Sequence, residues 1–210
     1  MNPSSPANLR RLPRQLRSRR RVNRILDAAA QLFAEAGFEA ATTNAIAERA
    51  GISIGSLYQY FPNKAALFRA LCERYERESL AALGAVLTPD LARLEIGEVV
   101  ERVVAALRQS YGTNPGLLRV LFQGHPAQGQ CVPHSSFREA MVHQVDGLLE
   151  LRWPRLAPDR RRLVAEVCVQ AADALFDLAL KLEREAAHRA MDELKRLLLG
   201  YLEPLDREVA

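Results

Sequence analysis

Residues 42–64 read TTNAIAERAGISIGSLYQYFPNK, and this stretch decides the architecture of the chain around it. Thr42 is placed to cap a short helix, its hydroxyl accepting from a backbone N–H left unpaired in the first turn. Ile46, Ala47 and Ala50 fall on one face of that helix. Gly51 sits where the chain turns sharply and where a positive φ is expected. Ser53 caps a second short helix, whose Leu57 points back to the core and whose Ser56, Tyr58 and Gln59 face outward. Ala47 is small where the two helices cross. The pattern predicts a helix-turn-helix, a pair that sets the N-terminal part of its second helix into the DNA major groove.

The run T-x-x-x-I-A-x-x-A-G-I-S-x-G-S-L-Y-x-Y-F-x-N-K resembles the DNA-binding region of the TetR family of bacterial transcriptional regulators. The likeness spans residues 22–71 with unbroken spacing and includes Tyr58-x-Tyr60-Phe61 and the following Asn63-Lys64. Outside this region the chain is similar to the family only in length and helical texture.

Working upstream, the apolar positions Val22, Ile25, Leu26, Ala29, Leu32, Phe33 and Ala36 keep helical spacing, with Gly37 as the stop and Phe38 folding back on the helix. Before the first acid, Asp27, stand eight arginines: Arg10, Arg11, Arg14, Arg17, Arg19, Arg20, Arg21 and Arg24. The rest of the chain carries 21 bases against 25 acids, so the formal charge of +4 hides a basic arm attached to an acidic remainder. Such an arm beside a helix-turn-helix suits phosphate or minor-groove contact. A solvated basic tail, or loose binding to RNA or anionic lipid, remains the plainer reading. Residues 1–18 are expected to be a disordered arm, 19–62 the DNA-binding domain, and 63–210 a ligand-binding and dimerisation body.

Downstream the pattern is helical throughout, so the expected class is all-α. Asn63 should cap a long helix that ends at Thr88-Pro89. A second helix covers 95–111, a short one 116–123, and GHPAQGQCVPHSS (124–136) is the most loop-like stretch. Helical spacing resumes from Phe137 to Trp153-Pro154, then from Pro158 to about Ala187. A last helix carries Met191 to Tyr201 before Pro204. In the family the last two helices pair across a two-fold axis, which implicates Val164, Val167, Ala171, Leu175, Met191, Leu194, Leu198 and Tyr201 in a homodimer. Closing the protomer's own core is the alternative role.

On the DNA side the candidates are Arg17, Arg19, Arg20, Arg21, Thr42, Thr43, Ser53, Ile54, Gly55, Ser56, Tyr58, Gln59, Tyr60 and Lys64. Gln59 suits a bidentate pair with adenine and Ile54 a thymine methyl, while Gly55 lets the backbone approach the duplex. Thr43, Tyr58, Tyr60 and Lys64 resemble the family's phosphate-contacting positions, which set register rather than sequence. Tyr60 has a second reading as a core aromatic. The partner implied is double-stranded DNA with a palindromic operator.

For a small-molecule inducer, the wall candidates are Tyr75, Leu107, Tyr111, Leu121, Phe122, Phe137, Met141, Trp153 and Phe176, each equally readable as plain core. Gln170, Asp173 and Asp177 are polar positions in apolar helical surroundings, suited to a cationic or hydroxyl-bearing ligand, or to an intersubunit hydrogen bond or a solvated face. No cofactor is expected. Cys131-x-x-His134, with His125 and His143 nearby, is too sparse for a metal site, and no acid–base or nucleophile constellation suggests an enzyme. Scattered Cys72, Cys131 and Cys168 suggest reduced thiols in a cytoplasm. No apolar run approaches the ~18 residues of a membrane span. The resemblance implies a repressor released from its operator by an inducer. A DNA-bound structural or cell-division factor, or a regulator without a ligand, is the alternative.

Overall fold

The computed structural model describes residues 16–113, 115–123 and 135–209. These form nine α-helices and no strand: α1 (Leu16–Ala40), α2 (Thr43–Arg49), α3 (Ile54–Tyr60), α4 (Lys64–Val86), α5 (Ile96–Thr113), α6 (Pro115–Gln123), α7 (Ser135–Arg152), α8 (Pro158–Lys181) and α9 (Arg184–Val209). A 3-10 turn, Leu91–Arg93, precedes α5. The chain divides into two compact units. The first takes residues 1–75 and 114–132, the second 76–113 and 133–210. Helix α4 therefore belongs to both, and α6 groups with the N-terminal helices.

In the first unit most of the apolar stripe of α1 is buried, with Ile25, Ala29 and Phe33 fully enclosed, while Leu32 is half-buried and Ala36 exposed. The helical conformation of α1 breaks at Gly37, where its stop was expected. At φ 78 and ψ 170 it kinks the helix, which runs on to Ala40. The kink turns Phe38 back into the core, where its ring lies 5.4 Å from Phe33 and 5.2 Å from Phe68. Leu57, Phe61, Leu67 and Leu71 complete this core. Helix α6 packs on α1 through Gly116, where an added Cβ would lie 3.1 Å from both Cβ and carbonyl oxygen of Ala34. Leu121 is fully buried in the same core.

In the second unit α8 packs against α7 and α9, and α5 against α9. Two expected boundaries move. The break between the last helices falls at Leu182, in extended conformation, and not near Ala187. Neither glycine nor proline marks it. Pro204 lies inside α9 and does not end it, since the helix continues to Val209. A second correction concerns the cysteines: Cys72 is disulfide-bonded, while Cys168 is a free thiol. Among the described residues no helix is long and apolar enough to cross a membrane.

Candidate nucleic-acid interface and ligand cavity

The helix-turn-helix is held by side-chain caps at each start. Thr42 Oγ1 accepts from the N–H of Ala45 at 3.1 Å, Ser53 Oγ from that of Ser56 at 3.2 Å, and Asn63 Oδ1 from that of Ala66 at 2.9 Å. Each cap satisfies a donor that the first turn leaves orphaned, a contribution of about 1 kcal/mol apiece. Between α2 and α3 the N–H of Ile52 donates to Ala47 O at 3.0 Å, and Gly51 takes φ 62. That conformation costs a side-chain-bearing residue roughly 1–2 kcal/mol.

Cations close the helix C-termini. Arg24, counted from sequence with the basic arm, sends its guanidinium to the carbonyls of Ala50 and Gly51, the latter at 3.2 Å. Lys64 Nζ donates to Phe38 O at 2.6 Å and Glu39 O at 2.9 Å, and lies 4.5 Å from the centre of the Phe38 ring. Both sit where carbonyls lack helical partners and the helix dipole favours positive charge. Sequence spacing carries no signal for either contact, because the partners lie 25 to 27 residues away.

What this frame presents outward is the surface of α3. Ile54 and Tyr58 are 37% and 39% exposed, on a helix whose Leu57 is fully buried. Gln59 and Gly55 are exposed, and a Cβ added at Gly55 would meet nothing within 4 Å. Tyr58 OH and Thr43 Oγ1 lie 3.1 Å apart, so a hydrogen bond links the start of α2 to the surface of α3. Ser56 is half-buried, its hydroxyl receiving a hydrogen bond from Ser53 Oγ. Tyr60 is buried, in the position of the core aromatic. Arg19, Arg20 and Arg21 are exposed at the start of α1, and among the described residues no ion pair engages them. The side chains of Arg17, Tyr111 and Phe122, and all of His125, Cys131 and His134, lie outside the described residues. No group of three metal-ligating side chains occurs among those described.

The second unit holds an apolar-lined cavity that is partly open to solvent. Helix α5 supplies Val99, Val103 and Leu107 to its wall, α7 supplies Met141 and Val145, and α8 supplies Cys168 and Ala172, with contributions from α4 and α9. Of the wall candidates read from sequence, Leu107 and Met141 are in this lining. Tyr75 packs beside the core of the first unit, which also holds Leu121. Phe137, Trp153 and Phe176 are buried, but none lines this cavity.

The polar candidates turn elsewhere. Gln170 is exposed, Asp177 pairs with Lys181 at 2.5 Å, and Asp173 accepts from Arg138 Nε at 3.2 Å. Burial pushes the Asp173 carboxyl above the usual carboxylate range, and Arg138 opposes that shift. The charged residue in the lining is Arg152, which sequence reasoning passed over as a helix end. Its Nε and Nη2 each donate to Asp206 at 2.7 Å, its Nη1 donates to the carbonyls of Ala92 and Leu94, and Trp153 Nε1 donates to Asp206 at 2.7 Å. Hydrogen bonding from Arg152 holds the Asp206 carboxyl below its ordinary range.

On α8, Leu163 (57% exposed), Val167 and Leu178 form an exposed apolar row with Ala171, and Leu197 is exposed on α9. Of the dimer candidates, Val167 belongs to this row and Ala171 continues it. Ala171, Leu175 and Tyr201 are half-buried, while Val164, Met191, Leu194 and Leu198 are already covered within the protomer.

Comparison with known proteins agrees with this arrangement. Residues 25–71 match the model for bacterial regulatory proteins of the tetR family, and residues 96–202 match the tetracyclin repressor-like C-terminal domain. The nucleoid occlusion factor SlmA of Glaesserella parasuis is 31% identical over 94 residues, 45% of this chain and 44% of that protein. The chain therefore spans less than half the length of that relative. The HTH-type transcriptional repressor KstR of Rhodococcus jostii is 47% identical over 58 residues, 27% of each chain. The HTH-type transcriptional activator FasR of Mycolicibacterium smegmatis is 28% identical over 180 residues, 86% of this chain and 66% of that one. With both halves matched and the capped helix-turn-helix in place, the chain belongs to the TetR family of bacterial transcriptional regulators.

Proposed function

We propose that this regulator acts as a cytoplasmic homodimeric repressor on a palindromic operator and is released by a small molecule bound in the second unit. The observation that carries the ligand is the cavity itself, which the packing of α5, α7 and α8 leaves open. A ligand preferring one body conformation lowers operator affinity by its differential affinity for the two states. Helix α4 contributes residues to both units and is one of the covalent routes between them. Leu163, Val167 and Leu178 on α8, with Leu197 on α9, supply the apolar face for a second copy. In a dimer the two recognition helices would reach major grooves about 34–36 Å apart, or a multiple of that. The role carries no catalysis.

The likeness to the nucleoid occlusion factor favours a second reading, a DNA-bound cell-division factor. Selection of sites from a randomised duplex library at physiological salt separates the two, followed by mapping of bound sites across the chromosome. One or a few palindromes at promoters, with transcription rising on deletion of the gene, supports the repressor. Many dispersed sites without transcriptional effect overturns it.

A further inference from the structure

The chemistry of the cavity wall deepens the ligand reading above and rests on it. We propose that the cavity takes an uncharged, predominantly hydrocarbon ligand, a linear alkyl chain or fused apolar ring system, held by apolar contact without an ionic anchor. Apart from Arg152 and Cys168, every side chain of the wall is aliphatic or thioether, contributed by five helices and the segment between α4 and α5. A ligand group that needs a hydrogen bond would lose its water there and find no replacement.

Arg152 does not supply that replacement. Four of its five N–H groups already donate, two to Asp206 in a bidentate pair and two to backbone carbonyls before α5, and its charge is matched by Asp206. An anionic headgroup that took Arg152 as its ion partner would compete with Asp206 for that charge, and displacing the pair would leave the Asp206 carboxylate with Trp153 Nε1. Breaking a partly buried pair from one side is costlier than leaving the headgroup in water. Nor does Cys168 act as a ligating or nucleophilic anion, since burial pushes its thiol up to about 12. The acids that would have recognised a cation, Asp173 and Asp177, are paired with Arg138 and Lys181 and stand outside the lining. Shape and apolar area are what remain to discriminate ligands, through the dispersion and desolvation of hydrocarbon.

The test uses the full chain and a matched set: octan-1-ol, decan-1-ol, methyl decanoate and decanoate. Affinities come from calorimetry at two temperatures, with thermal shift as a second readout and release from the selected duplex as a third. Decan-1-ol and methyl decanoate should bind within about threefold of each other, and decanoate more weakly than either. Each methylene from octanol to decanol should tighten binding about fourfold, with a negative heat-capacity change. Val103→Phe, which occupies the cavity, should abolish binding. Val103→Thr has the same shape as the native residue, keeps the fold, and should weaken binding severalfold. Decanoate binding at least tenfold more tightly than decanol, with the preference lost in Arg152→Met, overturns the proposal by revealing an ionic anchor. It is overturned equally if no member binds while a charged effector releases the protein from DNA, an outcome that leaves ligand response intact. Decanol binding with no effect on DNA affinity upholds this chemistry and removes the release mechanism.

Discussion

The helix-turn-helix and the cavity-bearing unit use side chains in opposite ways. In the first, small polar groups are placed one by one: Thr42, Ser53 and Asn63 cap helix starts, and Arg24 and Lys64 reach carbonyls at helix ends. The outcome is a rigid frame that leaves Ile54, Tyr58 and Gln59 uncovered. In the second, polar groups are spent on each other. Arg152 is locked to Asp206, Arg161 donates to Asp146 at 2.8 Å, and Arg160 pairs with Glu208 at 3.0 Å. Apart from Arg152 and Cys168, the cavity wall is left to hydrocarbon. A site that reads a polymer of fixed geometry needs exposed groups on a stiff support, whereas a site that accepts a small molecule needs walls able to yield.

Four variants break or sharpen that contrast. Leu57→Ala should have the largest effect, a loss of about 2–5 kcal/mol, because the side chain is fully buried under the exposed surface of α3. Urea unfolding measures it, and a loss below 1 kcal/mol would mean that α3 is not anchored through this residue. Next, Asp206→Asn should cost about 1–3 kcal/mol by removing the charge paired with Arg152. Its pH signature has a definite sign. The folded-state pKa of Asp206 is depressed, so its contribution is present above the ordinary carboxylate range and lost as pH falls through the folded value. The stability difference between wild type and Asp206→Asn should therefore shrink on acidification, and a difference constant from neutral to acid pH would dissociate Asp206 from the effect.

Gln59→Ala should weaken operator binding by about 1–3 kcal/mol and relax preference at one base pair, with the salt dependence unchanged. Equal weakening on random duplex would move Gln59 from reading to positioning. Lys64→Ala should have the smallest effect, about 1 kcal/mol in thermal stability, since the amine serves two carbonyls at the end of α1. If Lys64 also meets a phosphate, the salt slope falls by about one contact. An unchanged slope would leave it a purely structural cation.

Much of the first unit was legible because its signals are local. A cap acts over three residues, a helical face repeats every three or four, and Gly51 announces the turn by lacking a Cβ. The all-α class, the helix-turn-helix and the exposed residues of α3 follow from such short-range rules. The family resemblance rests on the same stretch. Legibility failed where a decision depends on chain distant in sequence. Nothing near Arg24 or Lys64 tells that their partners are carbonyls about 25 residues away. Gln170, Asp173 and Asp177 share an apolar-looking helix, but only packing shows which way each turns.

Local pattern thus determined the helices, their caps and the reading surface, because hydrogen-bond closure and apolar periodicity are properties of neighbouring residues. Tertiary structure alone decided that α6 joins the N-terminal helices, that Arg152 is consumed by Asp206, and that the wall facing the cavity is hydrocarbon. Those outcomes depend on which helix faces meet, and a helix with apolar residues on more than one side permits several such meetings. Close packing of whole elements selects one of them.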